Sequence, residues 1–226
     1  SPTKYRTSGW HSWSNNTEAS PFASIYTSLG CPFKCQFCMI NVLNRTNNTP
    51  GIVSADSNIF RNWSPEFMIK HFDKLAEMGV KNIKIADELF VYSPKHFMEL
   101  CKMIKERDYK FNIWCYSRVD TIRQSHLEVL KKAGVQWLAL GIESANKMIR
   151  TEVIKGQYKD IQINEVVKQI RDSGISVIAN YIFGLKKDSF ETMQETLDLA
   201  LELNTEEANF YSAMGYPGSR LHGEAK

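Results

Sequence analysis

Apolar positions along this chain fall into two alternating patterns. Short strand-like runs occur at 23–29 (ASIYTSL), 81–86 (KNIKIA), 110–117 (KFNIWCYS), 135–142 (VQWLALGI), 176–183 (SVIANYIF) and 207–214 (EANFYSAM). Between them lie sets spaced by three and four: Phe97, Leu100, Cys101 and Ile104; Ile163, Val166, Val167 and Ile170; Phe190, Met193, Leu197 and Leu201. That spacing predicts helices with one buried face. Ser64 and Ser93 each precede a proline and read as N-caps, and Asp188 with Glu191 reads as a capping box. Gly79, Gly134 and Gly174 follow helical runs and lead into strands, as helix-terminating glycines do. Six strand–helix units predict a parallel sheet, and six are too few for a closed eight-fold barrel. The expected fold is therefore α/β, an open, TIM-like partial (β/α)6 barrel. Residues 1–22 are polar and unpatterned and read as an N-terminal arm or linker, with the core domain at 23–226. The stretch 39–63, containing NRTNNTPG, reads as a loop bordering a site.

Composition narrows the function classes. A net charge of +3 over 226 residues gives no electrostatic case for nucleic acid or an anionic membrane surface. The densest apolar run is VQWLALGI, far short of the roughly 18–20 residues of a membrane span, and the first residues carry no apolar leader. Five cysteines, an odd number without framework spacing, favour a reducing compartment, so the cytoplasm is expected. The N-x-S/T matches at Asn15, Asn44, Asn47 and Asn62 are read as polar loops.

Three of the five cysteines, Cys31, Cys35 and Cys38, lie within eight residues in LGCPFKCQFCMI. In parallel β/α folds, sites form at the C-terminal strand ends. Polar residues gather at those ends: Asp87 and Glu88; Ser117, Arg118 and Asp120; Glu143 and Ser144; Asn180 and Tyr181; and the run GYPGSR. Three thiolates with no local fourth suit a 4Fe–4S cluster with one open iron. A structural zinc prefers four closed ligands, and a Cys₃His site using His71 or His96 stays open as an alternative. Cys101 lies on a helical apolar stripe and Cys115 on a strand, and both read as core residues. The histidines at 11, 71, 96, 126 and 222 show no ligand spacing and read as surface or helix-face residues.

The CxxxCxxC motif after the first strand, with Phe37 before its last cysteine, resembles the radical S-adenosylmethionine (SAM) superfamily. SPFASIYTSLGCPFKCQFC, ADELF, CYSRVDT, LALGIESAN and GYPGSRL, in that order, resemble its cobalamin-binding-domain branch. The N-terminal KYRTSGWHSW is similar to the connector preceding the radical domain in that branch, and its Trp10, His11 and Trp13 are expected to pack against the domain. The resemblance implies that Cys31, Cys35 and Cys38 hold a 4Fe–4S cluster whose open iron takes SAM, with Phe37 beside the adenine. It places Asp87 and Glu88 at the methionine ammonium, Ser117 and Arg118 at ribose and carboxylate, Glu143 at further polar groups, and Ile182 and Tyr216 at apolar adenine contacts. The structural alternatives are a helix-entry role for Asp87 or Glu88 and an Arg118 pair with Asp120 or Glu143. The activity implied is reductive cleavage of SAM to a 5′-deoxyadenosyl radical that abstracts a substrate hydrogen, within a cobalamin-dependent methyltransferase-like enzyme. A cobalamin-independent oxidoreductase or cyclase, and a non-catalytic iron–sulfur or zinc module, are the competing readings. Implied partners are a small-molecule substrate, a reductant such as flavodoxin or ferredoxin, and a cobalamin-binding domain in cis or trans; no membrane or nucleic acid is implied. FGLKKDSFE lacks the family's Pro-Gly turn, and no D-x-H-x-x-G pattern for cobalt occurs. Cobalamin is thus expected only with a domain outside these residues, the chain being either a radical core cut from a longer protein or a minimal version.

Overall fold

The computed structural model describes residues 6–7, 20–43, 60–153 and 162–225. The strands are β1 (Arg6–Thr7), β2 (Ser20–Ile25), β3 (Ser28–Leu29), β4 (Arg61–Asn62), β5 (Asn82–Ile85), β6 (Asn112–Arg118), β7 (Val135–Glu143), β8 (Ser176–Phe183) and β9 (Glu207–Ser212). The helices are α1 (Ile40–Leu43), α2 (Pro65–Glu77), α3 (Pro94–Glu106), α4 (Gln124–Lys132), α5 (Lys147–Val153), α6 (Ile163–Asp172), α7 (Phe190–Leu203) and α8 (Arg220–Glu224). The main sheet runs β1-β2-β5-β6-β7-β8-β9, and β3 pairs β4 in a small second sheet. From β2 to β9 every pairing is parallel, and β1 joins β2 antiparallel. This is the expected six-stranded half-barrel.

Alternation along the strands separates two faces. Ile83, Ile85, Ile113, Cys115, Leu138, Leu140, Val177, Ala179 and Tyr181 are 0–1% exposed and pack with the helices in one core. The registers Ile85↔Cys115, Cys115↔Leu138 and Leu138↔Val177 make this face a continuous apolar row. The residues between them face the lumen. One row there is Ser24, Lys84, Trp114, Trp137 and Ser176; another is Arg118, Gly141, Asn180 and Asn209. Cys101 and Cys115 both belong to the helix-side core, as expected.

Local signals mostly hold. Ser64 Oγ accepts from the Phe67 N–H at 3.2 Å, capping α2. Gly134 takes φ +96° between α4 and β7, and a Cβ there would stand 2.7 Å from the Phe111 carbonyl oxygen, so the turn admits only glycine. Ser93 sits at the α3 N-cap but makes no side-chain cap hydrogen bond. Four expectations are corrected. The first strand begins at Ser20, inside the stretch read as an arm, and stops at Ile25 before a separate β3. The 39–63 stretch carries α1 and β4 at its ends; positions 44–59, and Trp10, His11 and Trp13, lie outside the described residues. The α7 capping box is Ser189 with Thr192 rather than Asp188 with Glu191, because Asp188 accepts from the Gly184 and Leu185 N–H groups and the Thr192 hydroxyl. On α7 the buried stripe is Thr196, Ala200 and Leu203, while Phe190 is 86% and Leu201 70% exposed.

Candidate active site

The cysteine loop leaves β3 at Gly30, which turns it with φ +84°, and ends at α1. Gln36 pins it from inside. Its N–H donates to the Val153 carbonyl (2.9 Å), its side-chain amide donates to the Glu152 carbonyl (2.5 Å), and its carbonyl accepts from the Leu221 N–H (2.9 Å). Cys35 and Phe37 pack with Ile182 and Ala213 on a small apolar cluster of Ile149, Val153 and Leu185. The loop is thus clamped between the ends of α5 and α8 above the tip of β8.

The three thiols are partly buried, and burial raises all of them: Cys31 to about 11, Cys35 and Cys38 above the ordinary thiol value. Backbone N–H groups of Phe33 and Ile40 point at the sulfurs of Cys31 and Cys38, the latter at 3.5 Å, and the Arg118 cation favours the thiolate of Cys31 and Cys35. Among the described residues, no group of three or more His, Cys, Asp or Glu side chains gathers around one point as a single metal ion would need. Thiols on one loop, fringed by N–H donors and a guanidinium, fit the donor set of an anionic iron–sulfur cluster.

The polar strand tips meet this loop unequally. Glu88 Oε2 accepts from the Gly30 N–H at 3.0 Å, which holds its carboxylate against the loop's first turn. Its neighbour Asp87 is 0% exposed and turned the other way. It accepts from the Thr27 N–H, the Thr27 hydroxyl and the Ser28 hydroxyl, each at 2.6 Å. His96 Nε2 lies 3.0 Å from the Thr27 hydroxyl and its Nδ1 3.3 Å from the Asn62 amide. Asp87, expected at the methionine ammonium, thus has both oxygens engaged beneath the cysteine loop, and His96 is a buried network member rather than a surface residue. His126 is likewise buried, edge-on to Phe97. Ser117, expected at ribose and carboxylate, points away from the loop. Alternation on β6 puts it on the helix side, and its hydroxyl lies 3.0 Å from that of Thr121 in the following turn.

Arg118 faces the lumen with its guanidinium 3.6 Å from the centre of the Phe33 ring, so the cysteine loop roofs it. Its Nε and Nη2 donate to the two oxygens of Asp120 at 2.9 and 2.6 Å. That edge is committed to Asp120, the structural pairing foreseen as an alternative. Glu143 closes β7 with φ +69°, a left-handed conformation for a non-glycine residue at a strand tip. It folds back over Gly141, where a Cβ would stand 2.5 Å from Glu143 Oε1. Burial pushes the Glu143 carboxyl up to about 7, with Arg118 opposing the rise. Tyr216 is exposed beyond β9, with its hydroxyl 3.5 Å from the Met214 sulfur.

Two features were missed. Gln36 lies between Cys35 and Cys38, and nothing in the cysteine spacing announces its three backbone partners. Lys84, in the lumen over the Trp114 ring (4.5 Å) and the Tyr116 ring (5.3 Å), was legible from strand alternation, which sets it opposite Ile83 and Ile85.

The family model of the Radical SAM superfamily matches residues 25–200, most of the chain, and the chain belongs to that superfamily. Its members hold a 4Fe–4S cluster and cleave SAM. An uncharacterised methyltransferase of Pyrococcus horikoshii is 27% identical over 205 residues, covering 89% of this chain and 41% of that protein. The hopanoid C-2 methylase of Rhodopseudomonas palustris is 25% identical over 75% of this chain and 31% of its own length. The radical SAM methyltransferase TsrM of Kitasatospora setae, solved with cobalamin and a 4Fe–4S cluster, superposes with a TM-score of 0.78 at 19% identity. That match covers 91% of this chain and 39% of TsrM and bears on the fold alone. The chain spans less than half the length of these relatives. Among the described residues, no helix is long and apolar enough to cross a membrane.

Proposed function

We propose that Cys31, Cys35 and Cys38 hold a 4Fe–4S cluster, and that this chain forms the radical-generating core of a cobalamin-dependent methyltransferase. The carrying observation is the CxxxCxxC loop, pinned by Gln36 over the rim formed by Glu88, Arg118 and Glu143. The reduced cluster supplies the electron that splits SAM into methionine and a 5′-deoxyadenosyl radical, which abstracts a substrate hydrogen.

The chain's own residues bind and orient. Glu88, held at the loop by Gly30, is the carboxylate for the methionine ammonium, since Asp87 is fully committed to Thr27 and Ser28. Arg118, fixed by Asp120, contributes a positive charge beside the thiolates and the SAM carboxylate rather than a bidentate fork. Glu143, its carboxyl raised to about 7 by burial, offers the cofactor's polar groups a hydrogen bond at the lumen rim. Phe37 and Ile182, packed against the same apolar cluster as Cys35, give the adenine an apolar wall, with Tyr216 at its outer edge. Ser117 acts on the turn that presents Arg118. A flavodoxin or ferredoxin donates the electron, cobalamin sits in a separate domain in cis or trans, the substrate is a small molecule, and the compartment is the reducing cytoplasm. The methyltransferase and methylase relatives support methyl transfer. The magnesium-protoporphyrin IX monomethyl ester cyclase of Rubrivivax gelatinosus, 26% identical over 86% of this chain and 33% of its own length, supports a second reading, oxidative cyclisation.

Anaerobic reconstitution tests this. The expected outcome is about four irons per chain, a reduced-cluster paramagnetic signal that changes on adding SAM, and loss of iron in Cys31→Ala, Cys35→Ala and Cys38→Ala but not in Cys101→Ala. One tightly bound zinc per chain without a brown chromophore would overturn it.

A further inference from the structure

Beneath the rim, the lumen carries a cation that the radical chemistry does not use. Lys84 projects from β5 between the core residues Ile83 and Ile85, so alternation sends it into the barrel. It lies over the rings of Trp114 and Tyr116, 4.5 and 5.3 Å from their centres, and those rings meet edge to face at 5.3 Å. Among the described residues no hydrogen bond or ion pair holds it, and the salt bridges all lie elsewhere. Two lumen-side carboxylates are Glu143 at the rim and Glu207 on β9, four strands away in the sheet order, and neither pairs with Lys84. Arg118, the other cation here, already has Asp120.

An ammonium on the lumen face, held by two aromatic rings and with no counter-charge among the described residues, is an anchor for an anion. We propose that Lys84 binds an oxyanion of the substrate, a carboxylate or a phosphate-like group, and thereby sets which substrates enter. This rests on the lumen being the substrate chamber of the reaction proposed above. The ammonium lies between the levels of Trp114 and Tyr116, which precede Arg118 on β6 by four and two residues. At about 3.3 Å per residue, the anion would sit about 7–13 Å below the rim. The substrate class is thus a small molecule whose reacting carbon lies roughly one such span from an oxyanion. Asn180 and Asn209, linked at 3.2 Å, and Tyr211, 3.5 Å from Asn180, offer amide and hydroxyl partners on the opposite wall.

The test compares benzoate, phenylphosphonate and uncharged benzamide binding to the reconstituted protein with SAM, at constant ionic strength, by ligand-observed nuclear magnetic resonance. Wild type is expected to prefer at least one anion over benzamide by about tenfold. The preferred probe distinguishes a carboxylate from a phosphate-like substrate group. Lys84→Met is expected to erase the preference and Lys84→Arg to keep it, with iron content and melting temperature unchanged in both. Equal binding of all three probes to wild type, or an anion preference that survives in Lys84→Met, overturns the proposal. Both results are independent of iron stoichiometry, so they separate from a failure of the cluster assignment.

Discussion

The two faces of the sheet are built from the same strands yet obey different rules. On β6, Ile113 and Cys115 face the helices and are fully buried among aliphatic neighbours, while Trp114, Tyr116 and Arg118 face the lumen. The helix side is a continuous apolar layer, as a sheet covered by helices requires. The lumen side holds aromatics, amides, a lysine and an arginine, and it ends in the cysteine loop. One face holds the fold together, and the other collects the polar and aromatic side chains of the proposed site. The adjacent residues Asp87 and Glu88 repeat the lesson at the rim: one is spent on structure beneath the loop, and the other touches the loop from the site.

The strongest way to break this comparison is to cut into each face. Leu138→Ala empties a fully buried position in the helix-side row, which costs about 2–5 kcal/mol. Tyr116→Phe removes one lumen-side hydroxyl and is expected to cost under about 1 kcal/mol. Chemical denaturation of both variants measures this. Equal losses would mean that the lumen carries as much of the stability as the core.

The paired carboxylates sharpen the contrast at the rim. Asp87→Asn turns one of the two acceptor oxygens into an N–H donor, which then faces either the Thr27 N–H or the Thr27 and Ser28 hydroxyls, so about 1–3 kcal/mol of stability is lost. Cluster retention is expected to fall with it, since Thr27 and Ser28 lead into the cysteine loop. Glu88→Gln keeps an acceptor for the Gly30 N–H and leaves stability nearly intact. It is expected to weaken SAM binding by about tenfold, the loss of about 1.4 kcal/mol of charge-assisted contact. Thermal unfolding, iron analysis and equilibrium dialysis against SAM read the two apart. The reverse assignment, with Asp87→Asn stable and SAM-deficient, would exchange their roles.

The sequence showed the fold more fully than the site, for physical reasons. Strand and helix periods report burial, so 176–183 was read to the residue, and 135–142 and 207–214 to within two. Helix α5 was too short and too polar to carry a stripe, and on α7 the large apolar residues misled because the small Thr196 and Ala200 are the ones buried. At the site, the cysteine spacing was plain because all three thiols lie on one short loop. The direction of most rim side chains was not, because they lie where strand ends and bulges break the alternation that sequence reading uses. Asp87, past the end of β5, is held by a residue sixty positions off, whereas Ser117 obeys the β6 alternation and lies on the helix side against Thr121.

The smallest effect separates the faces by pH. His126 on α4 is buried edge-on against Phe97, and burial together with Arg123 lowers its proton affinity below the ordinary 6.5. The unfolded chain then binds that proton more readily than the folded one, so stability is intact above the unfolded value and falls as pH drops through it. Glu143, on the lumen side, works in the opposite sense. Its carboxyl is raised to about 7, so the folded state holds a proton that the unfolded chain has lost, and its contribution fades as pH climbs from 4.5 through 7. Comparing wild type with His126→Leu isolates the helix-side titration, because Glu143 is common to both. Melting temperatures at pH 7, 6 and 5 are expected to fall less steeply in His126→Leu than in wild type, with the curves closest in shape above pH 7. Parallel curves throughout would mean that His126 takes its proton as easily folded as unfolded, and that the helix layer opens to water at that position.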